Sequence, residues 1–286
     1  MRMTVSNLRL PRPRSAHLLA GIFLLILIAF VATGCIGGTD TPQNTLAPEG
    51  EVARHQRNLF MLAMWPALVV MILVEGAIIV TLLRFRRRKN DAVPKQTHGN
   101  TPLEIGWTIV PTLIIIGFVG VPMLPVLFDL GRDPKADAYP IEVTGQRFQW
   151  SFKYPNIKDG RTGEPLESPP VTPGRAAELH IPAGKEIALT LTSIDVNHSF
   201  GVPRLAGTQD AIAGEHHRFW MKADHPGAFS GQCRELCGVD HWGMLITVIA
   251  QSQEDFDAWA KEAAAGVKQT PEGRVPSAVA ATGSGD

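Results

Sequence analysis

The apolar positions of this chain fall into three continuous runs, followed by a long stretch in which they alternate with polar ones. The runs cover Leu18 to Val31, Leu59 to Leu83 and Ile105 to Leu130. At helical rise the roughly 25 residues of the second run span about 37 Å, enough to cross a bilayer with some tilt. That run ends in Arg84-Phe-Arg-Arg-Arg-Lys89, and a basic cluster beside a membrane segment marks its side as cytoplasmic. The third run returns the chain to the outside. Pro111, Pro122 and Pro125 predict kinks in it, which membrane helices tolerate where neighbours satisfy the freed carbonyls. The pattern therefore predicts a transmembrane hairpin over residues 59–130 with a cytoplasmic loop at 84–104. Glu75 falls inside the first span, where an ionised carboxylate is costly, so it faces protein or is protonated.

From Ala138 the period changes to two. Ile187, Leu189 and Leu191 alternate with Ala188, Thr190 and Thr192, the signature of a half-buried strand. Further strands are expected at Ile141 to Thr144, Phe148 to Lys153, Glu178 to Ile181, His217 to Lys222 and Met244 to Ala250. Their spacing predicts a β-sandwich or small barrel over 131–266. Gly160 to Gly174, rich in Pro and Gly, reads as a long surface connection. Ser252-Gln-Glu-Asp255 resembles a capping box ahead of Phe256, Trp259, Ala260 and Ala263 at helical spacing. Residues 267–286 are small, polar and Pro/Gly-containing, the composition of a disordered tail.

The first run has a different character. Arg2, Arg9, Arg12 and Arg14 precede it without an acid, so residues 1–34 read as an export signal. Ala32-Thr-Gly-Cys35 follows, small residues before a cysteine as in a bacterial lipoprotein cleavage box. Lipidation of Cys35 is the expectation, with ordinary signal cleavage or a third membrane segment as alternatives. Residues 35–58 would then form an outer N-terminal segment. With 27 Lys and Arg against 27 Asp and Glu, no global charge suggests nucleic-acid binding. No Cys-x-x-Cys-His haem attachment sequence occurs.

The chemistry concentrates in Gly231-Gln-Cys-Arg-Glu-Leu-Cys-Gly-Val-Asp-His-Trp-Gly-Met244. Two thiolates four residues apart can bridge a pair of metal ions, and sulfur with imidazole nitrogen suits copper better than magnesium, calcium or manganese. Zinc is the rival, but its Cys2His2 sites usually pair a short Cys spacing with a short His spacing downstream. Here the order is His198, then Cys233, Cys237, His241 and Met244. A blue-copper loop is nearer in kind, since it joins one Cys, a His and a weak axial Met. The second cysteine makes a two-copper loop of it.

This arrangement, with Ser193-Ile-Asp-Val-Asn-His-Ser-Phe200 around the first histidine, resembles the CuA centre of cytochrome c oxidase subunit II. The resemblance covers roughly residues 55–265 and implies a membrane-anchored, two-helix hairpin followed by an all-β, cupredoxin-like Greek-key domain. It implies that Cys233 and Cys237 bridge two coppers, that His198 and Met244 complete one, and that His241 and the Glu235 carbonyl complete the other. The Glu235 side chain would help to hold a magnesium ion at the interface with subunit I. Leu103-Glu-Ile-Gly-Trp-Thr-Ile-Val-Pro111 resembles the start of the family's second helix, where Glu104 would open a proton path; a carboxylate favourable to the helix dipole is the plainer reading.

The family role is to accept electrons from a periplasmic donor such as a cytochrome c and pass them to haem in subunit I, where oxygen is reduced. Subunit I, and subunit III beside it, are the implied partners in the bacterial inner membrane, with the copper domain in the periplasm. Rival readings are a CuA-bearing nitric oxide reductase subunit and a membrane-anchored copper carrier. A quinol oxidase subunit would lack the copper ligands. Gly145-Gln-Arg-Phe-Gln-Trp-Ser-Phe-Lys-Tyr154 resembles the family's aromatic strand but departs from it, because Phe148 stands where the electron-receiving tryptophan is usual. Phe148 and Trp150 are therefore the candidates for receiving electrons. Residues 131–266 carry 13 Lys and Arg against 18 Asp and Glu, a net of −5 and a mild bias toward a basic donor. His180, His216, His217 and His225 read as ordinary histidines, and Asp195, Gln232 and Asp240 as supporting groups around the ligands.

Overall fold

The two later apolar runs form helices, as their length dictates. A computed structural model describes residues 41–86, 96 and 98–266. The leader at 1–34, Cys35, Arg87 to Lys89 and the tail at 267–286 lie outside the described residues. Helix α1, Glu51–Arg84, has 34 residues and starts eight residues ahead of the apolar run. The reason lies in packing: Val52 and Ala53 are buried in the core of the β-domain, so the first turn belongs to that domain and the remainder to the membrane.

The second span begins as α2, Thr101–Leu113, passes through a π-helical stretch, Ile114–Gly120, and ends as α3, Val121–Leu130. The expected kinks take this form because Pro111 and Pro122 cannot donate to the carbonyl four residues back. The chain re-pairs with the wider spacing, Val121 N–H reaching Ile116 O. Thr108 and Thr112 hydroxyls cover the Glu104 and Thr108 carbonyls at 2.9 and 2.7 Å. Both helices are long and apolar enough to cross a membrane.

Ten strands follow: β1 (Tyr139–Gln146), β2 (Gln149–Lys158), β3 (Pro165–Glu167), β4 (Ala176–Pro182), β5 (Ile187–Ser193), β6 (His198–Val202), β7 (Gly207–Ala211), β8 (His217–Met221), β9 (Gly227–Cys233) and β10 (Leu245–Gln251). They form two five-stranded sheets, ordered β3-β2-β1-β5-β8 and β4-β10-β9-β6-β7. The β1–β5 and β4–β10 pairs are parallel, so strands distant in sequence close the sandwich. Alternation delivers Ile187, Leu189 and Leu191 to the core. Four strands escaped the periodicity: β6 and β7 are short, β6, β7 and β9 are interrupted by Gly and polar residues, and β3 lies inside the expected surface connection.

Helix α4, Gln253–Ala264, is capped by Ser252, whose hydroxyl accepts from Asp255 N at 3.1 Å. It buries Phe256 and Trp259. The Trp259 ring stacks on His180 at 4.3 Å, and the Tyr154 hydroxyl accepts from His180 N at 2.9 Å. His180 is thus a core histidine, held through Nδ1 to Gln251 at 3.0 Å.

The hairpin is tied to the sandwich at both of its outer ends. Glu51 pairs with Lys222 at 3.2 Å, Arg54 with Asp224, and Glu49 with Arg204. Beyond α3, Arg132 reaches Glu186 at 2.7 Å and Asp129 at 3.2 Å while its guanidinium lies 3.9 Å from the centre of the Trp220 ring.

Candidate metal centre

Four segments bring the site together at one end of the sandwich. The end of β5 and the turn after it carry Ser193 and Asp195, β6 begins at His198, β9 ends at Cys233, and the loop to β10 carries Cys237, His241 and Met244. Backbone bonds close that loop: Cys233 N donates to Met244 O at 2.9 Å and Arg234 N to Ser199 O at 2.8 Å. A 3₁₀ turn, His241–Gly243, aims His241 back toward Cys237. Gly145 in β1 makes room for the histidine, since a Cβ there would stand 2.9 Å from the His198 ring.

The donor atoms converge. One ligand atom each from His198, Cys233 and Cys237 lies within 4.8 Å of the other two, and all three residues are buried. Cys233 Sγ lies 3.8 Å from His198 Nδ1 and 3.3 Å from the Glu235 carbonyl. Cys237 Sγ lies 3.5 Å from His241 Nδ1 and 3.9 Å from Met244 Sδ. Both thiols are free. All six sequence-selected positions thus meet in one place, with the Glu235 side chain turned to the surface.

The two thiols titrate in opposite directions. Burial opposes ionisation of Cys233, but His198 and the Ser199 and Glu235 backbone outweigh it and hold that thiol below its ordinary value. Cys237 is pushed up, first by burial and then by the neighbouring Cys233 charge. Two thiolates this close repel each other, and a shared cation removes that penalty. The donor set therefore fits soft metal ions bridged by sulfur.

Asp195 fixes His198. Its Oδ1 lies 2.9 Å from His198 Nε2, and its Oδ2 accepts from Arg147 N at 2.8 Å. Burial works against its charge, but the Arg147 and Val196 amides and His198 prevail and keep the carboxyl well below the usual range. The contact assigns the Nε2 proton to the carboxylate side and leaves the Nδ1 lone pair facing sulfur.

The two aromatic candidates separate. Trp150 is 1% exposed and packs edge-on against His198 at 5.9 Å and Phe200 at 5.5 Å, so it does not reach the surface. Phe148 is half-buried and touches the copper-type loop: a Cβ on Gly238 would come within 2.9 Å of its ring, and Gly238 has φ +141°. Glu104 lies far along the chain at the start of α2. Its Oε1 accepts from Asn100 N at 3.0 Å while Asn100 Oδ1 accepts from Leu103 N at 3.3 Å, a reciprocal helix cap.

Sequence reasoning passed over two residues. Gln43, in the segment before α1, donates to Gln232 Oε1 at 3.2 Å and accepts from Arg234, bracketing Cys233. No periodicity marks such a contact across 190 or so positions. Trp242, one residue beyond His241, is strongly exposed, and its adjacency to a ligand was the signal that could have found it.

Comparison with known proteins bears on the same residues. The sequence pattern of "Cytochrome C oxidase subunit II, periplasmic domain" matches residues 139–251, and that of its transmembrane domain matches 47–126. A cytochrome c oxidase subunit 2 of Alkalihalophilus pseudofirmus is 33% identical over 254 residues, 87% of this chain and 69% of that one. One of Cereibacter sphaeroides is 33% identical over 69% of this chain and 74% of its own length. A quinol oxidase subunit 2 of Bacillus cereus is 31% identical over 85% and 79%. The crystal structure of the periplasmic domain of cytochrome oxidase subunit II of Bradyrhizobium japonicum aligns at 35% identity and TM-score 0.40, covering 46% of this chain and 96% of that one. With a two-helix membrane anchor, a cupredoxin-like sandwich and both family patterns in place, the chain belongs to the cytochrome c oxidase subunit II family, a component of an oxidoreductase complex.

Proposed function

We propose that this chain is the electron-accepting subunit of a respiratory haem-copper oxidase and that its loop holds a dinuclear CuA centre. Cys233, Cys237, His198, His241, Met244 and the Glu235 carbonyl would hold the copper, the two thiolates shared between the ions, and the group would supply one-electron chemistry there. The observation that carries the reading is the convergence of two free buried thiols on two imidazoles and a thioether. A thioether has no place in a closed zinc site but is a usual weak ligand of copper. It also separates this chain from the quinol oxidase reading.

Bound copper supplies a one-electron store whose ligand set leaves no open water position. The residues do the rest. Asp195 holds His198 in one tautomer and orientation, and Trp150 and Phe200 keep water from the ring behind it. Phe148, seated on Gly238, gives a van der Waals path from the surface to the backbone beside Cys237.

In this reading the sandwich lies in the periplasm and receives electrons from a carrier such as a cytochrome c. It passes them to haem in subunit I, where oxygen is reduced to water; subunit III completes the complex. Glu104 stands at a proton path into subunit I, the Glu235 side chain contributes to a magnesium site at that interface, and Cys35 carries a lipid. Metal analysis of the purified complex after thiol reduction tests the core of it. Three coppers per copy of this chain, two in its loop and one at the haem-copper site of subunit I, and no bound zinc are expected; a total of two coppers or stoichiometric zinc contradicts it. The mass of the mature amino terminus tests lipidation separately, and an unmodified Cys35 in a processed chain would end that part.

A further inference from the structure

The segment ahead of α1 is fastened along the sandwich like a strap. Glu49 N donates to Arg204 O at 2.7 Å, Asp224 N to Glu49 O at 3.0 Å, and Arg204 Nε to Ala47 O at 3.1 Å. Gly50 closes the end next to α1, since a Cβ there would stand 2.7 Å from the Leu205 and Lys222 carbonyl oxygens. The first turn of α1 then buries Val52 and Ala53 in the core, so the strap has a fixed base. At its other end Asn44 Oδ1 accepts from Leu46 N at 2.9 Å in an Asx turn, and Gln43 meets the ligand loop.

That meeting is made by a single amide. Gln43 Nε2 donates to Gln232 Oε1 at 3.2 Å and Gln43 Oε1 accepts from Arg234 Nη2, so the residues on either side of Cys233 are joined through one side chain. An amide suits the place because it offers donor and acceptor together. Arg234 is itself channelled toward Gln43. Its stem lies over Gly201 in β6, where a Cβ would come within 2.6 Å of Arg234 Cγ.

The same turn is pinned by backbone from the sandwich side, where Cys233 N donates to Met244 O at 2.9 Å and Arg234 N to Ser199 O at 2.8 Å. Between these two supports runs Cys233 to Glu235, which offers one thiol and the carbonyl of the ligand set, with Cys233 Sγ 3.3 Å from Glu235 O. Strand pairing holds one side of this short run, and Gln43 holds the other.

We propose that Gln43 is a positioning residue for the copper ligands. By clamping Gln232 to Arg234 it fixes the main chain from Cys233 to Glu235, and with it the approach of the carbonyl ligand. The inference rests on the copper reading of the loop. The potential of a copper–thiolate site follows its weak ligand, and an oxygen donor favours the oxidised ion. A carbonyl free to retreat therefore shifts the balance toward the reduced site. Groups that orient ligands from behind also govern how firmly the metal is kept.

The test uses the purified membrane complex, its two-copper resonance checked first, with Gln43→Met and Gln43→Glu. Met keeps the length of the side chain and loses both hydrogen bonds. Glu keeps them, since its carboxylate accepts from Arg234 and, with the Gln232 amide turned about, from Gln232 Nε2. At an ambient potential that leaves the unmutated site half reduced, Gln43→Met should raise the ratio of reduced to oxidised site about threefold and alter the copper hyperfine splitting. Its copper should pass to a chelator about tenfold faster. Gln43→Glu should restore both the splitting and the retention. In the copper-free complex, amide hydrogens of the peptide spanning Cys233 to Glu235 should exchange about tenfold faster in Gln43→Met than in the unmutated chain. A lowered Tm with splitting, potential and exchange unchanged overturns the inference and leaves the strap a fastening only. So does an equal defect in both variants. Absence of the two-copper resonance from the unmutated complex strikes the copper reading instead, and the exchange comparison, which needs no metal, then decides the clamp.

Discussion

The two ends of β5 handle polar groups in opposite ways. At its start, Glu186 is buried yet fully answered: Arg132 at 2.7 Å, the Lys135 amide at 2.7 Å and the Lys135 ammonium at 3.5 Å surround it. At its other end burial and the neighbouring Cys233 push the Cys237 thiol up while, against burial, His198 and backbone groups hold Cys233 down, and apolar side chains stand in solvent. The first region is complete within the single chain and fixes how the sandwich sits on its hairpin. On the function proposed above, the second would be completed from outside, by metal held within the loop. Structure and function thus divide along one strand: what is satisfied positions the domain, and what is unsatisfied marks the site.

The sharpest way to break this comparison is to remove a ligand and a joint residue in parallel. Cys233→Ser or Cys237→Ser should abolish two-copper binding altogether, because one thiolate cannot maintain a double bridge, while Arg132→Ala should leave the copper content unchanged. Copper and sulfur analysis of the three variants decides it, and a cysteine variant that still binds two coppers would break the comparison at once.

The aromatic pair gives the next largest effect. Trp150→Ala empties a fully buried position and should cost about 3–5 kcal/mol of domain stability, read as a drop in Tm with loss of copper retention. Phe148→Ala, at a half-buried surface position, should cost far less stability and instead slow reduction by the donor. The reverse pattern would mean that burial has been misread as support and exposure as contact.

Arg132→Ala should destabilise the folded chain by about 2 kcal/mol, since it leaves the Glu186 carboxylate buried beside Lys135 alone. The same pair predicts a pH dependence. Chiefly through the Arg132 hydrogen bonds, and against the cost of burial, the Glu186 pKa is lowered from 4.5 to about 2. Because the folded value lies below the unfolded one, this stabilisation is fully present above about pH 4.5 and is lost as pH falls toward about 2. Denaturation of Glu186→Gln at a series of pH values should show a flatter acid limb; an unchanged limb would assign the acid sensitivity elsewhere.

How far all this could be read in the sequence follows from how local each signal is. The loop is contiguous from Cys233 to Met244, and His198 sits in a recognisable stretch, so the meeting of these side chains was legible. The hairpin was legible because membrane spans need long uninterrupted apolar runs. The start of α1 was not, because Val52 and Ala53 are apolar for the sake of a core built more than 80 residues later. Strands β6, β7 and β9 were hidden by Gly201, Gly207, Gly227 and Gly231, which weaken β propensity but permit close packing. The Trp259–His180 stack, the Gln43 bracket and the Glu186 joint all depend on pairings across long separations, which periodicity does not encode.

The smallest effect is expected furthest from the copper loop. Glu104→Ala removes one half of a reciprocal helix cap, a change of about 1 kcal/mol or less. On the proton-path reading it should also slow oxidase turnover while leaving copper content intact. Unchanged turnover and proton uptake across pH would leave Glu104 with the capping role alone.

The central claim is that the unsatisfied end of β5 holds two coppers sharing two thiolates. Electron paramagnetic resonance of the oxidised complex tests it most directly. The account predicts one unpaired electron coupled equally to two copper nuclei; coupling to a single nucleus, or no copper signal in a chain with reduced thiols and bound zinc, would contradict it.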